Sequence, residues 1–201
     1  MQNTSKLWVY AAVLLFCGAT IIGCKNKPVA ESEVQTPAEN IDTEEATWLT
    51  AVEDYLVTEI GSHYTPGEVC IPYANIVATD DSNPEEMLVW GDFWVFLYNL
   101  SGDTLKTVSG GSHPGLMHVR QTDSGFQVIA FEAVEDGARK LERAKQIFGD
   151  KYEAFHAINS NDQQWEENRI RTTAAYVKKH QLSATMYQDF GWEPISLGEN
   201  Q

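Results

Sequence analysis

The stretch Met87-Leu-Val-Trp-Gly-Asp-Phe-Trp-Val-Phe-Leu-Tyr-Asn-Leu100 decides the fold, because it is apolar on both sides when read as an extended chain. A strand that is apolar on both faces is typical of the centre of a covered sheet. Gly91 marks a point where so long a strand can bend. We therefore predict a central strand with two covered faces. The first carries Leu88, Trp90, Asp92, Trp94, Phe96 and Tyr98, and the second carries Met87, Val89, Gly91, Phe93, Val95 and Leu97.

Weaker strands are predicted on both sides of this segment, joined by short turns. Turn residues at 101–103 and 123–125 lead from one strand to the next, and short connections favour antiparallel neighbours. We interpret residues 109–115, which hold three glycines and a proline, as a loop. The predicted sheet is an antiparallel meander of about five strands. Besides the central strand, these are Val69–Ala78, Thr104–Val108, Leu116–Gln121 and Phe126–Val134.

Helical patterns lie before and after the strands. Asp42 and Glu45 have the spacing of a capping box, and apolar residues from Trp48 to Ile60 follow at helical spacing. Three further helices are predicted over residues 138–148, 150–158 and 162–180, with Asp162 capping the third. The fold class predicted is α+β: an N-terminal helix packed on a curved antiparallel meander, followed by C-terminal helices. We expect the aromatic tail to pack back on the domain; it holds Tyr187, Phe190, Trp192 and Ile195.

The N-terminus combines Lys6, an apolar run from Leu7 to Ile22, and the sequence Ile21-Ile22-Gly23-Cys24. As a helix the run would span about 24 Å, which is short of the ~30 Å hydrocarbon core. It resembles a bacterial lipoprotein signal peptide with its lipobox. The resemblance implies cleavage before Cys24 and acylation of that residue, and two or three acyl chains anchor a protein stably.

This resemblance divides the chain into three parts. They are a signal peptide over residues 1–23, the lipidated cysteine with a flexible acidic tether over 24–43, and one globular domain over 44–201. The lipid bilayer is then a partner through Cys24, and the cell envelope is the expected location. Lys25 favours the outer membrane by analogy with enteric sorting rules, and either side of that membrane stays open.

Charge narrows the range of partners. The chain holds 14 Lys and Arg against 29 Asp and Glu, for a net charge of −15. Such a charge disfavours binding to nucleic acids and to anionic lipid surfaces.

Once the leader is removed and Cys24 carries lipid, Cys70 has no partner for an internal disulfide. Its apolar sequence neighbours favour a buried small side chain.

Motifs for catalysis, metals or cofactors are weak. Gly110-x-Ser112-x-Pro114 has proline where a nucleophile elbow needs glycine, and a loop between strands is the wrong context. The five histidines lack the spacing of a zinc helix. The acidic turn Asp80–Asn83 lacks the closing Glu of an EF-hand, so a solvated turn is favoured over a weak calcium site. We predict no catalytic constellation, no metal and no cofactor.

A pocket beside the central strand is the more specific hypothesis. Trp90, Trp94 and Tyr98 share a face with Asp92, and Glu132 lies on a later strand. A carboxylate buried among aromatic rings would have a raised pKa and could act as a base. The alternative is that these rings form ordinary core against the helices.

The order of one helix and then a curved meander is similar to the NTF2-like and cystatin-like folds. Many lipid-anchored proteins of Bacteroidota-type bacteria resemble this arrangement, carried here by the lipobox, the helix Trp48–Ile60 and the strands 87–100 and 116–134. The NTF2-like superfamily includes both enzymes and binding modules, so two functions stay open. One is a noncatalytic envelope lipoprotein that binds a small ligand or an envelope protein. The other is a small-molecule enzyme that uses Asp92 or Glu132.

Overall fold

The computed structural model describes residues 42–198, and side chains from Trp48 onward. It confirms the α+β fold class: one helix, then an open sheet, then helices. Helix α1 (Asp42–Tyr55) continues into a π turn (Leu56–Ile60) and a 3-10 turn (Gly61–His63). The other elements are β1 (Val69–Asn83), β2 (Glu86–Ser101), β3 (Thr104–Thr122), β4 (Gly125–Ala133), α2 (Lys140–Phe148), α3 (Tyr152–Asn159), α4 (Asp162–Lys179), β5 (Met186–Gln188) and β6 (Ile195–Ser196).

The four long strands form an antiparallel meander in which β2 lies between β1 and β3. The far edge of β3 has two different neighbours. Its second half, from Gly115 to Thr122, pairs with β4. Its first residues, Thr104–Lys106, pair in parallel with β5, and β6 then adds to β5. The C-terminal tail thus completes the sheet at the start of β3.

Strand β2 is covered on both faces, as its sequence predicts. One face packs against α1, where Val89, Phe93 and Val95 belong to the same buried cluster as Trp48 and Val52. The opposite face is divided between two sets of C-terminal elements. Near the start of β2, Trp90 packs under α2 and α3, and near its end Phe96 and Tyr98 pack under α4 and β5. The sheet therefore separates two apolar layers.

The prediction of a loop over residues 109–115 is wrong, because β3 runs through it without a break. Residues 109–115 keep their pairing with β2, and the only irregularity there is a bulge between Ser109 and Thr107. Gly110 has φ +150°, and a Cβ at this position would collide with the carbonyl oxygen of Val95. Gly110 therefore permits close approach of two strands rather than a turn.

One smaller prediction is wrong, and another holds only in part. Asn161, not Asp162, caps α4: its side-chain oxygen accepts a hydrogen bond of 3.1 Å from the Gln164 backbone N–H. In the tail, Tyr187 is buried, but Phe190 is 97% and Trp192 is 75% exposed. The tail packs back on the domain, as predicted, through Tyr187, Ile195 and Leu197, whereas the turn between its two short strands points Phe190 and Trp192 to solvent.

Cys24 and the predicted signal peptide and tether, up to residue 41, lie outside the described residues. From Asp42 to Gly198, no helix has both the length and the apolar character needed to span a membrane.

Candidate functional site

Asp92 lies in the middle of β2 with only 2% of its surface exposed. Its carboxylate accepts a hydrogen bond of 2.8 Å from Trp94 Nε1 and another from the Ser112 hydroxyl. Burial raises the pKa of Asp92, and these two hydrogen bonds partly oppose that rise. The carboxylate is therefore closed off from solvent and joins β2 to β3.

The aromatic residues on the Asp92 face of β2 all pack against other side chains of the domain. Trp90 Nε1 donates a hydrogen bond of 3.0 Å to the carbonyl oxygen of Ile147 and so ties α2 to the sheet. The ring of Trp94 lies 5.1 Å from that of Trp165 on α4. Tyr98 is fully buried, and its hydroxyl accepts hydrogen bonds from Arg169. Trp94 and Tyr98 thus come together under α4, whereas Trp90 lies under α2.

Glu132 is part of a separate, exposed ion network. It lies 3.2 Å from His118 Nε2 and 3.3 Å from Arg143 Nη2, and its side chain is 46% exposed. The other ring nitrogen of His118 lies 2.8 Å from a carboxylate oxygen of Glu86. Glu132 also lines an open, polar groove of about 700 Å³ along α2. The two predicted carboxylates therefore occupy different environments, one buried and one at the surface.

A second groove, which the sequence did not predict, lies between α4 and the β5–β6 hairpin. It encloses about 510 Å³ and combines aromatic rings with carboxylates. We call it the aromatic groove, and its lining residues are Asp162, Trp165, Glu166, Arg169, Tyr187, Asp189, Trp192, Glu193 and Ile195.

A tight turn at Asp189–Trp192 forms one wall of this groove. The Trp192 backbone N–H donates a hydrogen bond of 3.1 Å to the Asp189 carbonyl oxygen. Gly191 has φ +81°, a conformation that glycine adopts without strain. The Gln188 side-chain amide donates a hydrogen bond of 2.8 Å to the Trp192 carbonyl oxygen. The exposed indole is therefore held on an ordered turn, which we call the aromatic turn.

Arg169 fixes the base of the aromatic turn from below. It is 4% exposed and donates two hydrogen bonds of 2.7 Å to the two carboxylate oxygens of Asp189. Its guanidinium carbon lies 4.4 Å from the ring centroid of Tyr187 and 4.6 Å from that of Phe96. Such stacking and paired hydrogen bonding suit the planar guanidinium group. The positive charge of Arg169 is therefore compensated by Asp189 inside the protein.

Hydrogen bonding fixes the charges of this pair. Burial alone would lower the pKa of Arg169, but the Asp189 carboxylate and the Tyr98 hydroxyl raise it overall. Burial alone would raise the pKa of Asp189, but hydrogen bonds from Arg169 and Thr107 lower it overall. Burial raises the pKa of Tyr187 to about 12. At neutral pH the groove therefore holds an ion pair and a neutral phenol at its base.

Three further carboxylates surround the groove without a cationic partner in residues 48–198: Asp162, Glu166 and Glu193. All three are exposed. Since Arg169 is neutralised by Asp189, the net charge around the opening is negative. The indole Nε1 of Trp165 is buried and has no hydrogen-bond partner.

The sequence carried one usable signal for this groove. In Asp189-Phe-Gly-Trp192, a glycine lies between two aromatic residues after an acid, which is typical of a tight turn. Arg169 gave none, because an arginine on an amphipathic helix is usually solvated.

In the described part of the chain, no group of three or more His, Cys, Asp or Glu side chains is placed to hold a metal ion. No protein family, curated protein or solved structure gives a significant match to this chain.

Proposed function

We propose that this chain is a lipid-anchored envelope protein whose domain binds a ligand or partner in the aromatic groove without catalysing a reaction. The observation that carries the binding role is Trp192, which is 75% exposed at the wall of a 510 Å³ groove. Large aromatic side chains are normally buried on folding, and those held exposed beside a groove are typical of recognition surfaces. The ordered turn also lowers the entropic cost of binding.

The enzymatic alternative has weaker support. A general base must lie within hydrogen-bond reach of a substrate proton. Asp92 is 2% exposed and is already hydrogen-bonded to Trp94 and Ser112. Glu132 is accessible, but its oxygens lie beside His118 and Arg143 in surface ion pairs.

A fragment screen followed by protein NMR tests the binding role. We expect bound fragments to shift the indole N–H resonances of Trp192 and Trp165, and Trp192→Ala to weaken the same fragments. Phe155→Leu, in the core between α2 and α3, is the matched control for the loss of an aromatic ring. Fragments that shift only Ser112 and Trp94, or a turnover lost in Asp92→Asn, would favour the enzyme instead.

The anchor is supported by the sequence around Cys24, which resembles a lipobox. Cys24→Ala should abolish incorporation of labelled palmitate and leave the leader uncleaved, so the protein should keep its unprocessed mass. Cys17→Ala, in the same leader, is the matched control and should keep both labelling and cleavage. Palmitate labelling that survives in Cys24→Ala would contradict the anchor.

A further inference from the structure

We infer that the ligand of the aromatic groove is an organic cation, meaning a protonated amine or a quaternary ammonium group. This inference rests on the proposed binding role and adds the chemistry of the ligand.

The groove's own cation, Arg169, is already hydrogen-bonded within the protein. All three nitrogens of Arg169 donate hydrogen bonds to Asp189, Tyr98 or Thr107. An anionic ligand would find no free donor on Arg169, because the guanidinium group is neutralised and 4% exposed. The indole N–H of Trp165 has no hydrogen-bond partner among the described residues, but it is neutral and supplies no counter-charge. An acid or phosphate therefore lacks a counter-charge in this groove.

The groove also holds more carboxylate acceptors than its own cation can neutralise. Asp162, Glu166 and Glu193 line the groove, are exposed, and form no ion pair within residues 48–198. Carboxylates only accept hydrogen bonds when ionised, so they match the N–H donors of an ammonium group. The chain's net charge of −15 adds a long-range attraction for cations.

The exposed indole of Trp192 offers a surface that binds cations. The face of a tryptophan ring attracts a cation within about 6 Å of its centroid, and such contacts recognise quaternary ammonium groups. The faces of Phe96 and Tyr187 are already used by Arg169. Trp192 has no cation contact within the described chain, so its face is available to a ligand.

Calorimetric titration of the full chain with choline tests the inference, and dimethylbutanol serves as the neutral isostere. We expect choline to bind, its affinity to fall as salt is raised, and the isostere to bind at least about threefold more weakly. Trp192→Ala should weaken choline about two- to fivefold, and Trp192→Phe should weaken it less. Glu166→Gln should weaken it by a similar factor. Glu167→Gln is the matched control, because Glu167 is exposed on the same helix but does not line the groove.

One further probe separates the possible sources of the cation. A lysine-rich peptide that binds more tightly than choline, and loses affinity on acetylation, would assign the cation to a protein partner. Equal binding of the neutral isostere would overturn the inference. So would the absence of binding by both choline and the peptide. If neutral fragments still bind and Trp192→Ala weakens them, the proposed binding function stands while the cation assignment fails.

Discussion

Arg169 donates two hydrogen bonds of 2.7 Å to Asp189, which lies 20 residues further along the chain. This pair joins the buried face of α4 to the aromatic turn. Arg169 is almost fully buried, and Asp189 is about one-third exposed. The pair therefore belongs to the buried class, in which loss of one partner leaves a charge without compensation.

Asp189→Asn should lower the free energy of unfolding by about 1–3 kcal/mol, because Arg169 would keep its charge without an anionic partner. Urea denaturation followed by circular dichroism measures this change. Asp150→Asn is the matched control, since Asp150 pairs with Lys151 at the surface with its side chain 87% exposed. It should leave stability unchanged within error. If Asp189→Asn lowered the free energy of unfolding no more than Asp150→Asn does, the Arg169–Asp189 pair would not stabilise the fold.

The buried carboxylate of Asp92 should make stability depend on pH. Its pKa is raised in the folded state by burial, so the folded protein binds this proton more tightly than the unfolded chain does. The contribution is complete below the unfolded pKa and is lost as pH rises through the higher folded pKa. We expect Asp92→Asn, which mimics the protonated acid, to gain stability relative to the wild type as pH rises above about 4, the ordinary pKa of an aspartate. A difference that does not change with pH would contradict this.

Trp90→Phe should lower the free energy of unfolding by about 1–3 kcal/mol, because it leaves the Ile147 carbonyl oxygen without its buried donor. Hydrogen exchange should accelerate most in α2, which Trp90 ties to the sheet. Leu141→Ala is the control on the same helix, where Leu141 is 57% exposed. It should change neither quantity beyond error. Faster exchange spread evenly over the whole sheet would argue against a local role for Trp90.

The thiol of Cys70 should react slowly with maleimide in the native protein. Burial raises its pKa, and Gly61 and the end of the first helical segment pack close to the sulfur. The thiolate is the reactive form, so a raised pKa lowers its population at neutral pH. Peptide mapping of the modified site at increasing urea should show modification rising with unfolding. Fast modification without urea would contradict the packing.

The sequence predicted the centre of this fold better than its periphery. Alternation along residues 87–100 identified both faces of β2, because apolar side chains on each face need a cover. Sequence reasoning failed at residues 109–115. Glycines and a proline there are typical of a turn, whereas Gly110 permits close pairing of β3 with β2. Local patterns do not contain the identity of a residue's partner across the fold.

The candidate site shows the same limit. Asp92 was identified as a buried acid from its aromatic neighbours, but its enclosure by Ser112 depends on the register of β2 and β3. The aromatic groove depends on Arg169 meeting Asp189, and neither residue has a local signal for the other. Sequence reasoning predicted that the aromatic tail packs back, which holds for Tyr187 and Ile195, but it did not predict that Phe190 and Trp192 face solvent.

The parallel pairing of β3 with β5 has a consequence for the order of folding. Thr104 pairs with Met186, and Asp103 accepts a hydrogen bond from Thr185, which lies 82 residues away. The hairpins of the meander join neighbouring segments, whereas this contact closes a long loop at a higher entropic cost. The tail strands also emerge from the ribosome after the strands of the meander. We therefore expect the aromatic groove to assemble after the sheet that supports it, and we expect a chain cut short before Tyr187 to lose the groove while keeping every strand of the meander.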